Sequence, residues 1–393
     1  MHRGQPGSRQ TDQPGRPLHR RCRQHAGFGG GCGRTLPPGH RSRTGPPLRR
    51  PGPHRGCTAG GPNRSVRGRR VTVRHESWPL SRPFAIARGT KTAAEVVVVA
   101  ITEAGVTGRG ECVPYPRYGE TPESVLRQVE TVADTVAAGL DRHGLLRQMP
   151  AGAARNAVDG ALWDLEAKRT GVPAWQRAGL PPPRPVATAV TIGIDTPEAM
   201  AAAAASLAGE PLLKVKLDAH AVVDRMAAVR RAAPAARLIV DANEAWSRAL
   251  LAEVLPSLAE LGVELIEQPL PAIDDAALDG MEPAIPLAAD ESCHTAADLP
   301  RLAGRYQAVN VKLDKAGGLT AALALMDAAE RAGFAVMVGC MVCTSLAIAP
   351  ALLIAGRARW VDLDGPLWLR RDRDPGLGFA AGMIHPASAT LWG

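Results

Sequence analysis

The sequence predicts an α/β chain: a (β/α)8, TIM-type barrel preceded by a small α+β capping domain. Three observations carry this. From residue 186 onward, eight short apolar strands recur about two dozen residues apart with an Ala-rich helical segment between each pair, and eight such steps close a barrel. Residues 71 to about 183 hold strands and helices that do not alternate in this way. Pro181-Pro182-Pro183 stands between the two regions as a stiff boundary.

Residues 1–70 contain 16 Arg, no Lys and one Asp, so they carry +15 of a total of +9 and leave the other 323 residues at −6. This segment is rich in Gly, Pro and Arg, and Phe28 is its single aromatic. It reads as a disordered basic extension, because it cannot bury enough apolar surface to offset its ordering entropy. It lacks the apolar core of a secretory signal. Basicity confined to one arm on a mildly acidic body argues against nucleic-acid binding. No apolar run approaches the ~20 residues of a membrane helix. Seven Cys without framework spacing suit a cytoplasmic protein. Cys340 and Cys343 form a lone C-x-x-C, read as buried small side chains.

In the capping region, Val71–Trp78, Glu95–Thr102 and Thr107–Cys112 read as strands, punctuated by Gly89 and Gly105. Pro122–Ala138 and Ala151–Arg169 read as helices, with Ala157, Ala161, Leu162 and Leu165 at helical spacing. The barrel spans 184–364, and its expected strands are Val186–Ile192, Leu212–Leu217, Leu238–Asp241, Leu265–Glu267, Leu287–Asp290, Ala308–Leu313, Ala335–Gly339 and Trp360–Leu363. Residues 365–393 are expected to complete the capping domain. No G-x-G-x-x-G or P-loop pattern follows any strand, so nucleotide binding has no support.

The C-terminal ends of barrel strands are where chemistry resides. The third, fourth and fifth strands end in Asp241, Glu267 and Asp290. Three neighbouring anions repel unless a cation sits among them, and all-oxygen ligation favours Mg²⁺ or Mn²⁺. Lys214 and Lys216 share one face of the second strand, and an ammonium inside a barrel needs partners. Lys312 lies four strands onward, across the barrel from Lys216. A substrate held at the metal would then meet one lysine on each face. Such a pair suits removal and return of a proton beside a carboxylate, with the lysine pKa lowered by desolvation and nearby cations. Asp362 and Asp364 on the eighth strand form a further acidic pair.

This K-x-K, D/E/D, second-K order resembles the enolase superfamily, muconate-lactonising-enzyme subgroup, over residues 71–393. The ARNAVDGALWDL segment resembles that subgroup's helix before the barrel. The Asp362-x-Asp364 pair, MVGCMVCTS, WPL..PF.IARG and GEC.PYPRYGE are similar to the L-Ala-D/L-Glu dipeptide epimerases. The resemblance implies that Asp241, Glu267 and Asp290 bind Mg²⁺, that Lys216 and Lys312 are the acid/base pair, and that Lys214 neutralises an enediolate. It implies that Asp362 and Asp364 hold the substrate ammonium, and that Arg88 and Lys91 in a capping loop face the glutamyl carboxylate. Close relatives carry a second Arg where this chain has Lys91, which keeps the charge but loses the planar fork. A role in recycling cell-wall peptides would follow, with a homo-oligomer compatible. The rival reading on the same scaffold is an o-succinylbenzoate synthase or muconate cycloisomerase, whose substrates lack an ammonium.

Overall fold

The computed structural model describes residues 68–87 and 89–393. The basic extension, through residue 67, and Arg88 lie outside the described residues.

Three antiparallel strands open the described residues: β1 (Arg70–Ile86), β2 (Gly89–Glu103) and β3 (Val106–Cys112), in the order β1-β2-β3. The first two run further than the apolar pattern shows, because they pair as one long hairpin from Arg70↔Thr102 to Ile86↔Gly89. The ladder breaks only between Pro79 and Phe84, where Pro79 and Pro83 withhold backbone donors. Both faces of β2 are covered: Val97, Val99 and Ile101 face the cap helices, while Val96 and Val98 join the larger core. That explains a continuous Val run where a half-buried strand would alternate.

Helix α1 (Pro122–Ala137) begins with Pro at its first turn and a Thr121/Ser124 capping box. It buries Val125, Val129, Val132 and Val136 along one stripe. After α2 (Arg142–Gln148), helix α3 (Ala153–Thr170) is buried almost all round. One side packs on β3, and the other carries polar groups to the barrel. Asn156 Nδ2 donates to Asp314 Oδ1 at 2.8 Å, Thr320 N donates to Asp159 Oδ2 at 3.0 Å, and Trp163 Nε1 donates to Thr320 Oγ1 at 2.9 Å.

The β3–α3 contact depends on glycine. A Cβ at Gly110 would sit 2.1 Å from the Ala157 carbonyl oxygen and 2.6 Å from the Ala161 nitrogen, both backbone atoms of α3. Gly110→Ala is therefore expected to cost about 1–3 kcal/mol through overpacking. Urea denaturation should show a lower midpoint with an unchanged slope.

The barrel strands are β5 (Val190–Ile192), β6 (Leu212–Lys216), β7 (Arg237–Asp241), β8 (Val263–Glu267), β9 (Leu287–Ala289), β10 (Ala308–Lys312), β11 (Ala335–Gly339) and β12 (Trp360–Asp362). They form one eight-stranded parallel sheet in sequential order. Ala189 N donating to Val361 O at 2.8 Å joins its first and last strands. Two expectations change. The segment expected as one strand from Val186 splits: β4 (Val186–Ala187) pairs instead with a C-terminal hairpin, β13 (Phe379–Ala380) and β14 (Met383–Ile384). The β8–β9 crossover is a 3-10 turn, Ala272–Leu278, rather than an α-helix. Pro269, Pro271, Pro283 and Pro286 crowd that connection and deny a regular helix its donors. The chain end rests on α3, with Trp392 Nε1 donating to Gly160 O at 3.0 Å and Gly393 N to Asp164 Oδ1 at 2.8 Å.

One residue at the base of each barrel strand fills the lower interior: Ala189, Leu212, Ile239, Leu265, Ala288, Ala308, Met337 and Trp360. Small and large residues mix in this plug, as a closed interior requires.

Candidate active site

Side chains of a strand return to one face every second residue. Two residues above the apolar plug, the interior therefore receives Thr191, Lys214, Asp241, Glu267, Asp290, Asn310, Gly339 and Asp362. Two residues higher come Lys216 and Lys312. The polar residues on these levels are all buried. Gly339 is required here: a Cβ would lie 2.7 Å from Asn310 Oδ1 and 3.1 Å from Lys312 Cε.

The groups form one ion network. Lys214 Nζ lies 3.0 Å from Asp241 Oδ2, 2.6 Å from Glu267 Oε2 and 2.7 Å from Asp362 Oδ2. Lys216 Nζ donates to Asp241 Oδ2 at 2.6 Å and to Asn243 Oδ1 at 3.1 Å. Lys312 Nζ donates to Asp290 Oδ2 at 2.7 Å and lies 3.9 Å from Glu267 Oε1. Lys216 and Lys312 thus stand at opposite ends of the row Asp241, Glu267, Asp290. A further buried amine, Lys315, donates to Asp290 Oδ1 at 2.6 Å and to the Asp290 carbonyl. Asn310 Nδ2 donates to Glu267 Oε1 at 2.7 Å.

Burial raises Glu267 to about 7, with Asp241 adding to the effect. Burial would also raise Asp290, but Lys312 and Lys315 hold it well below the usual carboxylate range. Lys312 departs from the lowered pKa expected of it. Burial does push it down, but the carboxylates of Asp290 and Glu267 outweigh that and hold it above its ordinary value. The same balance raises Lys214, through Asp241, Asp362 and Glu267.

The donor set fits a hard divalent cation: three carboxylates, all oxygen, on adjacent strand ends. Burial, and then the neighbouring carboxylate of Asp241, raise Glu267 despite the adjacent ammonium groups. Glu267 Oε2 is buried and accepts no hydrogen bond, although the Lys214 ammonium is close. Among the described residues, no three His, Cys, Asp or Glu side chains by themselves enclose a point suited to an ion. Ammonium groups stand between the carboxylates instead. Asp241, Glu267 and Asp290 are the residues that would hold the metal.

A cavity opens above the network, lined on the barrel side by Lys214, Lys216, Asn243, Asp290, Glu291, Lys312, Asp362 and Asp364. From the cap come Phe84, Ile86, Lys91, Tyr115 and Tyr118. Asp362 ends β12, and its Oδ1 is buried without a hydrogen bond. Asp364 Oδ2 accepts from Thr191 N at 2.8 Å and Trp368 Nε1 at 3.3 Å. Burial and then the charge of Asp362 raise Asp364 to about 6. The two acids stand together at the cavity wall, an arrangement that suits a cation. The Lys91 ammonium lies 4.8 Å from the Tyr115 ring centroid, and Arg88 lies outside the described residues. Cys343 is buried as expected, but Cys340 is half-buried and lines the cavity.

Sequence reasoning missed Asn243, Glu291, Asn310, Lys315 and Gln268. Gln268 Oε1 accepts from Asp290 N and Ser292 N, holding the start of the Asp290 loop. The period-of-two rule that found Lys214 would also have found Asn310. Lys315 left no such signal, because it reaches back to Asp290 from the helical turn after β10.

Two family models match the chain: the mandelate racemase / muconate lactonizing enzyme N-terminal domain over residues 68–179, and the enolase C-terminal domain-like model over residues 198–389. The L-Ala-D/L-Glu epimerase of Escherichia coli (strain K12) is 52% identical over 319 residues, 81% of this chain and 99% of that protein. The N-acetyl-D-glutamate racemase of a Pseudoalteromonas species is 45% identical over 76% of this chain and 95% of its own. A crystal structure of an Agrobacterium tumefaciens enolase family member, with bound sodium and L-Ala-L-Glu, superposes with a TM-score of 0.82 at 50% identity, covering 83% of this chain and all of that one. The Enterococcus faecalis dipeptide epimerase complexed with Mg and L-Leu-L-Tyr gives 0.76 at 30% identity, over 81% of this chain and 97% of that one.

Proposed function

The chain belongs to the mandelate racemase / muconate lactonizing enzyme group of the enolase superfamily, and from that premise we propose that it epimerises dipeptides, interconverting L-Ala-D-Glu and L-Ala-L-Glu. The observation that carries the reading is the placement of Lys216 and Lys312 at opposite ends of the carboxylate row. Mg²⁺, or Mn²⁺ in its place, held by Asp241, Glu267 and Asp290, supplies charge neutralisation for the substrate carboxylate as its α-proton leaves.

The chain's own groups do the rest. Lys216 or Lys312, whichever is neutral and faces the α-hydrogen, takes the proton. The opposite ammonium returns one to the other face, inverting the centre. Lys214, buried and held protonated, sits where negative charge grows and stabilises it without reorganising. Asp362 and Asp364 bind the alanyl ammonium. Lys91, with Arg88, meets the glutamyl carboxylate. The cap residues Phe84, Ile86 and Tyr115 cover the cavity and exclude water. The substrate fits a cytoplasmic role in recycling cell-wall peptides.

Incubation with Ala-Glu and Mg²⁺ in deuterated water should place deuterium at the glutamyl α-carbon and yield both isomers. No incorporation would end the reading. The similarity to a racemase named for N-acetyl-D-glutamate raises a second reading, an acylated glutamate with no ammonium. It predicts turnover of N-acetylglutamate at least as fast as Ala-Glu.

Asp364 gives the dipeptide reading a pH signature. As pH falls through about 6, Asp364 gains a proton and loses its attraction for the ammonium. A limb near that pH should appear in kcat/KM, which reports the free enzyme. The limb should be absent in Asp364→Asn, whose kcat/KM stays low across the range.

A further inference from the structure

Arg117 lies in the short turn Pro116–Tyr118 that links β3 to α1 in the cap. Its guanidinium grips Glu244 at two points, Nε to Oε2 and Nη2 to Oε1, both at 2.7 Å. Paired bonds of this kind fix geometry as well as charge. Glu244 belongs to the barrel loop after β7, and its side chain is only 8% exposed. Its Oε1 also accepts from Ala272 N at 2.9 Å.

The turn that Glu244 occupies is strained. Asn243 and Glu244 have φ of 45° and 69°, consecutive non-glycine residues in the left-handed region. Such a turn persists only where its surroundings hold it. Two barrel contacts help: Asn243 N donates to Asp241 Oδ1 at 2.8 Å, and Glu244 N donates to Gln268 O at 2.9 Å. A third is the bond from Ala272 N to Glu244 Oε1, and the cap adds Arg117. The same turn aims Asn243 Oδ1 at Lys216 Nζ. Lys312, four strands away, is held by Asp290 and Glu267 rather than by the Asn243 turn. The cap contact therefore reaches Lys216 directly through Asn243, while its route to Lys312 is longer, through Gln268 and Asp290.

Resting on the two-lysine reading above, we propose that Arg117 is a positioning residue for Lys216: through Glu244 it holds the Asn243 turn that orients the Lys216 amine, and so sets the exchange rate chiefly on one face of the substrate. The cap loop then governs the balance between the two directions of epimerisation in addition to covering the site.

The test is α-proton exchange in deuterated water, followed separately for L-Ala-D-Glu and L-Ala-L-Glu. Lys216→Ala first identifies the isomer that Lys216 serves. Arg117→Ala and Glu244→Gln should each slow exchange of that isomer by about tenfold, since small displacements of a reacting group are costly, while the other stays within about twofold. Glu244→Gln can keep the carbonyl acceptor for Ala272 N, but it removes the charge and one of the two oxygens that accept from Arg117. Because the two residues act through one contact, the double variant should be no slower than either single one. Equal slowing of both isomers, whether or not the thermal midpoint falls, overturns the proposal, as does no slowing in either. If the unaltered enzyme exchanges neither isomer, the two-lysine reading fails and takes this inference with it.

Discussion

Replacing Glu267 by glutamine is expected to weaken metal binding severely and to abolish turnover while leaving the fold in place. Glu267 is fully buried at the centre of the network, touching Lys214 at 2.6 Å, Asn310 at 2.7 Å and Lys312 at 3.9 Å. Glutamine keeps its shape, and its carbonyl oxygen can still accept from Asn310. What disappears is one negative charge among the three of the row, and an amide NH2 replaces the oxygen that lies 2.6 Å from the Lys214 ammonium. The protein tolerates that loss because Glu267 is already raised to about 7, so its neutral form is cheap near neutrality. A divalent ion does not tolerate it, since carboxylate charge is what binds a hard cation. Calorimetric Mg²⁺ titration should show affinity falling by about 10–100-fold or more, on the scale seen even for outer partners of metal ligands. Turnover should fall with it, and the thermal midpoint without metal should shift little. Retained activity with lost metal affinity would separate the chemistry from the metal and overturn the assignment.

Lys312→Ala is expected to stop interconversion of the isomers while leaving proton exchange for one of them. General acid–base groups contribute about 10²–10⁴-fold, and inversion needs both. Without Lys312, Lys216 can still remove a proton from its own face and return it there, which exchanges isotope without inverting the centre. The substitution also leaves Asp290 with Lys315 as its remaining ammonium partner, at 2.6 Å, so the carboxylate is not stranded. The measurement is chiral separation of the products, with mass analysis of each isomer. Loss of exchange from both isomers would refute separate roles for the two lysines.

Much of this site was legible because strand geometry converts spacing into position. Leu212, Ile239, Leu265, Ala288 and Trp360 plug the barrel base, and the second residue after each is Lys214, Asp241, Glu267, Asp290 or Asp362. An apolar residue two places before a charged one, repeated around a closed sheet, forces the charges into a ring. The cap strands were legible in kind but not in length, because the outer parts of β1 and β2 are held by pairing rather than by an apolar stripe. The β8–β9 crossover is a 3-10 turn where the strand–helix alternation predicts a helix, and its four prolines are the local signal against one. Arg117–Glu244, Lys315–Asp290 and Gln268–Asp290 left no trace in spacing. They depend on how loops meet after the barrel closes, and nothing in the local pattern encodes that meeting.

The account rests on two amines acting from opposite faces of one bound carbon. Its most direct test is the isotope content of the first product formed from unlabelled L-Ala-L-Glu in deuterated water, at conversions of a few per cent. Two opposed lysines predict that nearly every L-Ala-D-Glu molecule carries deuterium at the glutamyl α-carbon, since the returning proton comes from an amine equilibrated with solvent. A product that keeps the substrate's own hydrogen in a substantial fraction would mean that one group both removes and returns it, and the opposed-lysine mechanism would be wrong.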